Sequence, residues 1–321
     1  MTETQKIKTA GRAWTVLPAT AAAVLLTVLF ILDIGGAREA VITSLKLSAT
    51  SVIPAVFPCA VLSGIIVRLG GAEKLGKLAE RPMRALFSLP GEALCALLLG
   101  FFCGFPIGAK SCAELYTRGC LSRDEAERLL AISSLPSPAF VINAVGKGML
   151  KSRAAGTFLF LILLALSLLS GTLLSIPARK KQGCRPSAPT AGQLCPDFGS
   201  SFISAVNSAA DAMLRLCAFS AFFSSLSAAL SPITGCLPDS LNAAVAGFFE
   251  LTGGCYAASS CALPLPVTAA ILGWTGLAVH FQVLSVTKGG ISPKRYFLVS
   301  LLRAAAMFFV ALFVRIPLSD I

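Results

Sequence analysis

The sequence predicts an all-α, polytopic membrane protein of about eight or nine membrane segments, whose two halves each carry broken or re-entrant helices. Three observations carry that prediction. Hydrophobic residues fill 55% of the 321 positions and charged ones 13%, with a mean hydropathy of +0.80, outside the range in which a soluble domain keeps a charged surface. Residues 154–176 and 13–32 run 23 and 20 positions without a charge, each enough to cross a core that needs about 20 helical residues. Finally, "GFFCGFPIGAKSCA" at 100–113 is echoed about 150 residues later by "GFFELTGGCYAASSCA" at 247–262, each with Gly-Phe-Phe, a Gly-containing interruption and Ser-Cys-Ala.

Lys6, Lys8 and Arg12 precede the first apolar run. That run exceeds the ~7 to 15 residues of a signal-peptide core, so it reads as a retained helix with a cytoplasmic N-terminus. Residues 47–67 form a second charge-free run containing Pro54 and Pro58. Proline removes a backbone donor and crowds the preceding turn, so a kink or unwinding is expected there. Arg68, Lys74, Lys77, Arg81 and Arg84 then mark a basic cytoplasmic loop. Residues 93–109 lead into the first interruption. In "LSRDEAERLL", Ser122 and Glu125 have capping-box spacing, and Arg123/Glu127 and Asp124/Arg128 have i,i+4 spacing, which predicts a short surface helix.

Residues 129–146, with Pro136 and Pro138 at their centre, form another interrupted segment. The run at 154–176 has basic residues at both ends, so charge leaves its orientation open. Residues 177–200 are polar and rich in Pro and Gly, a linker between halves. The second half offers a charge-free run at 216–238, a weakly polar stretch at 251–279 and a last helix from Tyr296 to Val314. The expected division is an N-terminal helix at 1–36, a first repeat at 37–176, the linker, a second repeat at 201–290 and a C-terminal helix at 291–321.

Hydrocarbon cannot satisfy freed backbone groups, so an interruption at membrane depth survives only where protein or a water-filled cavity receives it. Matched interruptions in two halves are the sequence mark of a transporter's binding site. The half-helix that restarts points free N–H groups and a partial positive charge at the cavity, where an anion is the natural occupant. Lys110, four residues past Pro106, stands in the first turn of the restarted helix, where a cation is disfavoured without a nearby anion. Its alternative partner is Glu114 at i,i+4. Glu250 precedes the second interruption, near the end of a half-helix, where a carboxylate is disfavoured unless protonated or facing a cation; it is the coupling candidate. Asp211 and Arg215 are spaced to neutralise each other, Arg303 to snorkel to an interface, and His280 to hydrogen-bond within helix packing.

The net charge of +12 collects in short connections, which points to the lipid bilayer and its anionic headgroups and away from nucleic acid. The 11 cysteines show no C-x-x-C pair and none lies near the single histidine, so no metal or other cofactor is expected. Cys184 and Cys195, in one polar loop, are the only pair placed for a disulfide, and free thiols are the expectation. With no Walker A loop, no G-x-S-x-G and no HExxH, an enzyme is not expected.

The stretch "CGFPIGAKSCAELYTRGCLSRDEAERLLAISSLPSPAFVINAVGKGML", with "SVIPAVFPCAVLSGII" before it and "GFFELTGGCYAAS" in the second half, resembles the sporulation integral membrane protein YlbJ family, also called SpoVV. Its members carry the gate domain shared with nucleoside- and ferrous-iron-transporter relatives. The resemblance runs from about residue 40 to 290 and implies two gate-type repeats. It also implies transport of dipicolinic acid, an aromatic dicarboxylate, across the mother-cell-derived outer forespore membrane. The family's first motif falls on Gly104, Pro106, Gly108, Ala109 and Lys110, and its second interruption on Pro138 and Phe140. Ser134 and Ser137 stand where many relatives have asparagines, and the second-half motif continues as Leu251-Thr252-Gly253-Gly254. With Asn143, these residues complete the expected site for a small anionic substrate. A nucleoside permease would use Ser134, Ser137 and Asn143 instead of a lysine. A metal-ion permease and a non-transporting scaffold of a sporulation complex are the remaining alternatives, and a homo-oligomer or sporulation membrane partners the further assemblies considered.

Overall fold

The computed structural model describes residues 20–179 except 22 and 32, residues 197–314 except 288 and 289, and residue 316. The start of the first apolar run, most of the linker and the Cys184/Cys195 pair lie outside the described residues. Those described form helices with no strand.

A helix at 20–31 (α1) is followed by α2 (Ile34–Leu47), which Asp33 caps by accepting from the Gly36 N–H at 3.0 Å. The chain passes through a π-helical turn (Ser48–Val52) into α3 (Ile53–Arg68). The expected kink takes this form: the wider turn stands where Pro54 enters, and the helix continues through Pro58 without unwinding. The basic connection that follows is a helix and not a loop, α4 (Gly71–Phe87). Ala72, Gly76, Ala79, Met83 and Phe87 recur at helical spacing and are buried, while Lys74, Lys77 and Arg81 are exposed.

The two matched segments are helical hairpins. α5 (Ala93–Cys103) and α6 (Phe105–Thr117), 11 and 13 residues long, reach only about 16 and 20 Å, too short to cross alone. They fold back on each other at Gly104, whose φ of 96° suits glycine. A Cβ built on Gly108 would lie 2.7 Å from the Gly100 Cα, so the arms touch through backbone. The second hairpin, α11 (Asp239–Phe249) and α12 (Leu251–Ala258), repeats this: a Cβ on Gly254 would lie 2.1 Å from the Gly247 Cα.

Beside each hairpin runs a helix that breaks without folding back. α7 (Arg123–Ser133) ends at a non-helical Ser134–Ser137 and resumes at Pro138 as a π-helix (Ala139–Met149). α13 (Pro264–Trp274) breaks at Thr275 and Gly276, with φ of 74° and 82°, and resumes as α14 (Gly276–Thr287). Each hairpin tip rests on its neighbour's break: Gly104 lies against Ser137, and Gly276 against Glu250 and Leu251. Long helices α8 (Arg153–Arg179) and α15 (Lys294–Phe313) flank the two sets, and α9 (Phe198–Ala229) packs along α2 and α3. A short α10 (Ser231–Thr234) precedes the second hairpin.

Among the described residues, four stretches are long and apolar enough to cross a membrane: Arg153–Ala178, Phe198–Ala229, Pro264–Thr287 and Lys294–Phe313, with shorter apolar helices at Val56–Arg68 and Ala93–Cys103. Leu161, Leu169 and Leu173 on α8 and Leu298, Leu301 and Phe309 on α15 are exposed, as lipid-facing residues should be. The all-α polytopic architecture with re-entrant helices is therefore the fold.

α7 begins as anticipated, with Ser122 and Glu125 completing a capping box and both i,i+4 pairs formed at 3.2 and 3.1 Å. Its later residues, Leu129 to Ser133, are buried, so only its first turns are surface. Arg128 is buried as well and donates to the Phe87 and Ser88 carbonyls at 2.7 and 3.2 Å, fastening the end of α4. Asp124 bridges Arg128 to Arg295 of α15, at 3.1 and 2.6 Å, and so joins the two halves of the chain.

Burial alone would raise the Asp124 carboxyl, but the two arginines outweigh it and hold it below the usual carboxylate range. A lowered carboxylate contributes stability above the ordinary pKa of about 4 and loses it as pH falls through the lowered value. Asp124→Asn should therefore lower the thermal midpoint at neutral pH, by the equivalent of about 1 kcal/mol or less for so exposed a group, and the gap from wild type should close in acid. A gap that stays constant with pH would contradict the assignment.

Candidate functional site

The two hairpin tips and the first break open on one cavity of about 590 Å³. Gly104, Phe105 and Pro106 line it from the first tip, and Glu250, Leu251 and Thr252 from the second. Ser137, Phe140 and Asn143 follow the break after α7. Ser48, Ser220, Tyr256 and Gln282 supply its other polar groups, and no Lys, Arg or His is among its described lining.

The two tips differ electrostatically. Glu250, 4% exposed, caps α12: its carboxylate accepts from the Thr252 and Gly253 N–H groups at 3.0 and 2.6 Å and from the Ser220 hydroxyl at 3.0 Å. The carboxylate expected at the unfavourable end of a half-helix is therefore at the favourable start of the next one, because the chain turns immediately after Phe249. The positive end of α12 is answered by the protein itself. No side chain caps α6, and Pro106 at its second position has no N–H to offer. The positive end of α6 faces the cavity, and among the described residues no side-chain anion caps it.

Of the residues expected at a site, Gly104, Pro106, Ser137, Asn143, Glu250 and Thr252 come together at the cavity wall. Gly108 and Gly254 lie where hairpin arms cross, Gly253 gives its amide to Glu250, Ala109 and Ser134 are buried away from the lining, and half-buried Pro138 is not part of it. Lys110 also stands off it, and its ammonium donates to the Ser208 hydroxyl of α9 and forms no ion pair with Glu114. Ser220 and Gln282 escaped sequence reasoning. Ser220 lies in "RLCAFSA", whose faint likeness to "FPCAVLS" was its one sequence signal, and Gln282 lies in "LAVHFQVL" beside His280.

Behind the second tip, Trp274 donates to the Phe248 carbonyl at 3.1 Å, and His280 meets the Tyr296 hydroxyl at 2.8 Å. Arg303 does not snorkel: it is 2% exposed and donates to the Gly273 carbonyl at 3.2 Å, at the end of α13, where the helix dipole favours a cation. Asp211 and Arg215 do not pair either, since Arg215 turns to the Ser285 carbonyl at 3.3 Å.

Residues 49–153 match the gate-domain family, described as nucleoside recognition. The matched stretch contains most of the π-helical turn, the first hairpin and the first broken helix. Over 121 residues the chain is 34% identical to the sporulation integral membrane protein YlbJ of Bacillus subtilis strain 168, a stretch that is 38% of this chain and 30% of that relative. The match thus spans less than a third of YlbJ's length. No solved structure matches the chain.

Proposed function

We propose that this protein is an integral membrane transporter of sporulation, carrying dipicolinate across the outer forespore membrane through the cavity between its hairpin tips. The observation that carries this reading is the uncapped start of α6 opening on a cavity whose other helix start already holds its own carboxylate. A carboxylate group of the solute fits at Gly104–Pro106, where the dipole of α6 favours negative charge. Phe105 and Phe140 offer faces for an aromatic ring, and Asn143, Tyr256 and Gln282 offer hydrogen-bond donors. Lys110, one turn farther along α6, adds positive potential without lining the cavity. Likeness to a sporulation membrane protein and to the gate domain supports the setting.

Purified protein in liposomes should take up dipicolinate, and Lys110→Ala should reduce that uptake while the protein remains in the membrane. Unchanged uptake would mean that Lys110 contributes no useful potential to the cavity. A second reading, a permease for a neutral nucleoside, is favoured by one observation: the described cavity lining carries amides, hydroxyls and a saturated carboxylate but no cation. Uridine competing for uptake where dipicolinate does not would establish it.

A further inference from the structure

Two thiols stand beside the first hairpin tip. Cys103, the last residue of α5 before Gly104, is 7% exposed and lines the cavity. Cys59 lies on α3, three residues after Val56, which lines the same cavity, so the two share a helix face. α3 packs on α5 in an apolar cluster that includes Val56, Ala60, Cys103 and Ile107, with Cys59 against it. The Cys59 and Cys103 thiols lie close enough to influence each other within that cluster, and both are free.

We propose that Cys59 and Cys103 are a redox-responsive pair: a small organic disulfide entering the cavity joins them, tethering α3 to the first hairpin tip. A disulfide needs a Cβ separation of about 3.5 to 4.5 Å, and α3 and α5 pack against each other in the cluster that holds both residues. Cys103, the member at the cavity wall, loses its proton and attacks one sulfur of the reagent, whose S–S bond breaks and releases one thiol. Cys59 then loses its proton, attacks the Cys103 sulfur of that mixed disulfide and displaces the second thiol. In sum, two protein S–H groups become one S–S bond, and the reagent's S–S bond becomes two S–H groups. The tip and α3 form adjoining parts of the cavity wall, so the bond fixes the part of the site nearest the start of α6.

The test treats full-length protein in nanodiscs with hydroxyethyl disulfide, blocks remaining thiols and maps linked peptides by mass spectrometry. A Cys59–Cys103 linked peptide should appear and disappear on reduction. In Cys59→Ser, Cys103 should instead retain the reagent as a mixed disulfide. Full reaction of exposed Cys236 without any Cys59–Cys103 link would overturn the proposal. A second arm, which rests on the transporter reading, measures dipicolinate uptake by liposomes: oxidation should abolish it, reductant should restore it, and the Cys59→Ser/Cys103→Ser double variant should be indifferent to both. Wild-type uptake unaffected by a confirmed link would overturn the claim that the tether fixes the site. Absence of uptake from reduced wild type would count against the transporter reading alone, because the linked peptide is read without it.

Discussion

Glu250→Ala should destabilise the protein by about 3 kcal/mol or more and abolish transport. The substitution strands the Thr252 and Gly253 amides and the Ser220 hydroxyl, all of which now donate to one buried carboxylate. A lost cap costs about 0.5 to 2 kcal/mol, and each stranded buried donor about 1 to 3. It would also leave the start of α12 as open to an anion as the start of α6. Glu250→Gln keeps one acceptor oxygen and should fall between wild type and alanine. Thermal unfolding in nanodiscs, paired with uptake by liposomes, checks both. A thermal midpoint unchanged in Glu250→Ala would mean that the carboxylate does not hold the second tip.

Gly108→Ala should be nearly as damaging. A Cβ there would stand 2.3 Å from the Ser133 carbonyl oxygen and 2.7 Å from the Gly100 Cα, and backbone on both sides cannot rotate away. Overpacking of this kind typically costs about 1 to 3 kcal/mol. Here it would also part the arms of the first hairpin and push the end of α7, moving Gly104 off Ser137. A lowered thermal midpoint together with lost uptake is expected. Gly35→Ala, on helix α2 with nothing within 4 Å of its Cβ, is the comparison for a helical glycine with room for a methyl group. A Gly108→Ala protein as stable as Gly35→Ala would contradict the close crossing.

The membrane class and the two interrupted segments were legible because they are written in local composition: charge-free runs, and glycines and prolines inside them. The fold-back was harder to see, because a half-helix that continues and an arm that returns have the same residues. Only the length of α5, too short to cross, and the pairing of Gly100 with Gly108 separate the two. α4 was masked by the glycines around its start and by Pro82, although its inward positions keep helical spacing. The role of Glu250 turned on one residue of register: before the break it would be stranded, and at the break it caps the next helix. Ser220 and Gln282 reach the cavity only through long-range packing, which no local pattern encodes. Lys110 had a chemical reason to answer an anion, but α9 lies close enough for the Ser208 hydroxyl to receive it first.

The central claim is that solute binds where the two hairpin tips meet, and the most direct measurement is a cryo-EM map of the full-length protein in nanodiscs with dipicolinate. Ligand density is expected in the cavity of about 590 Å³, with one carboxylate at Gly104–Pro106 and the ring near Phe140. Density between Lys110 and Ser208, or a cavity left empty at concentrations that saturate uptake, would contradict it.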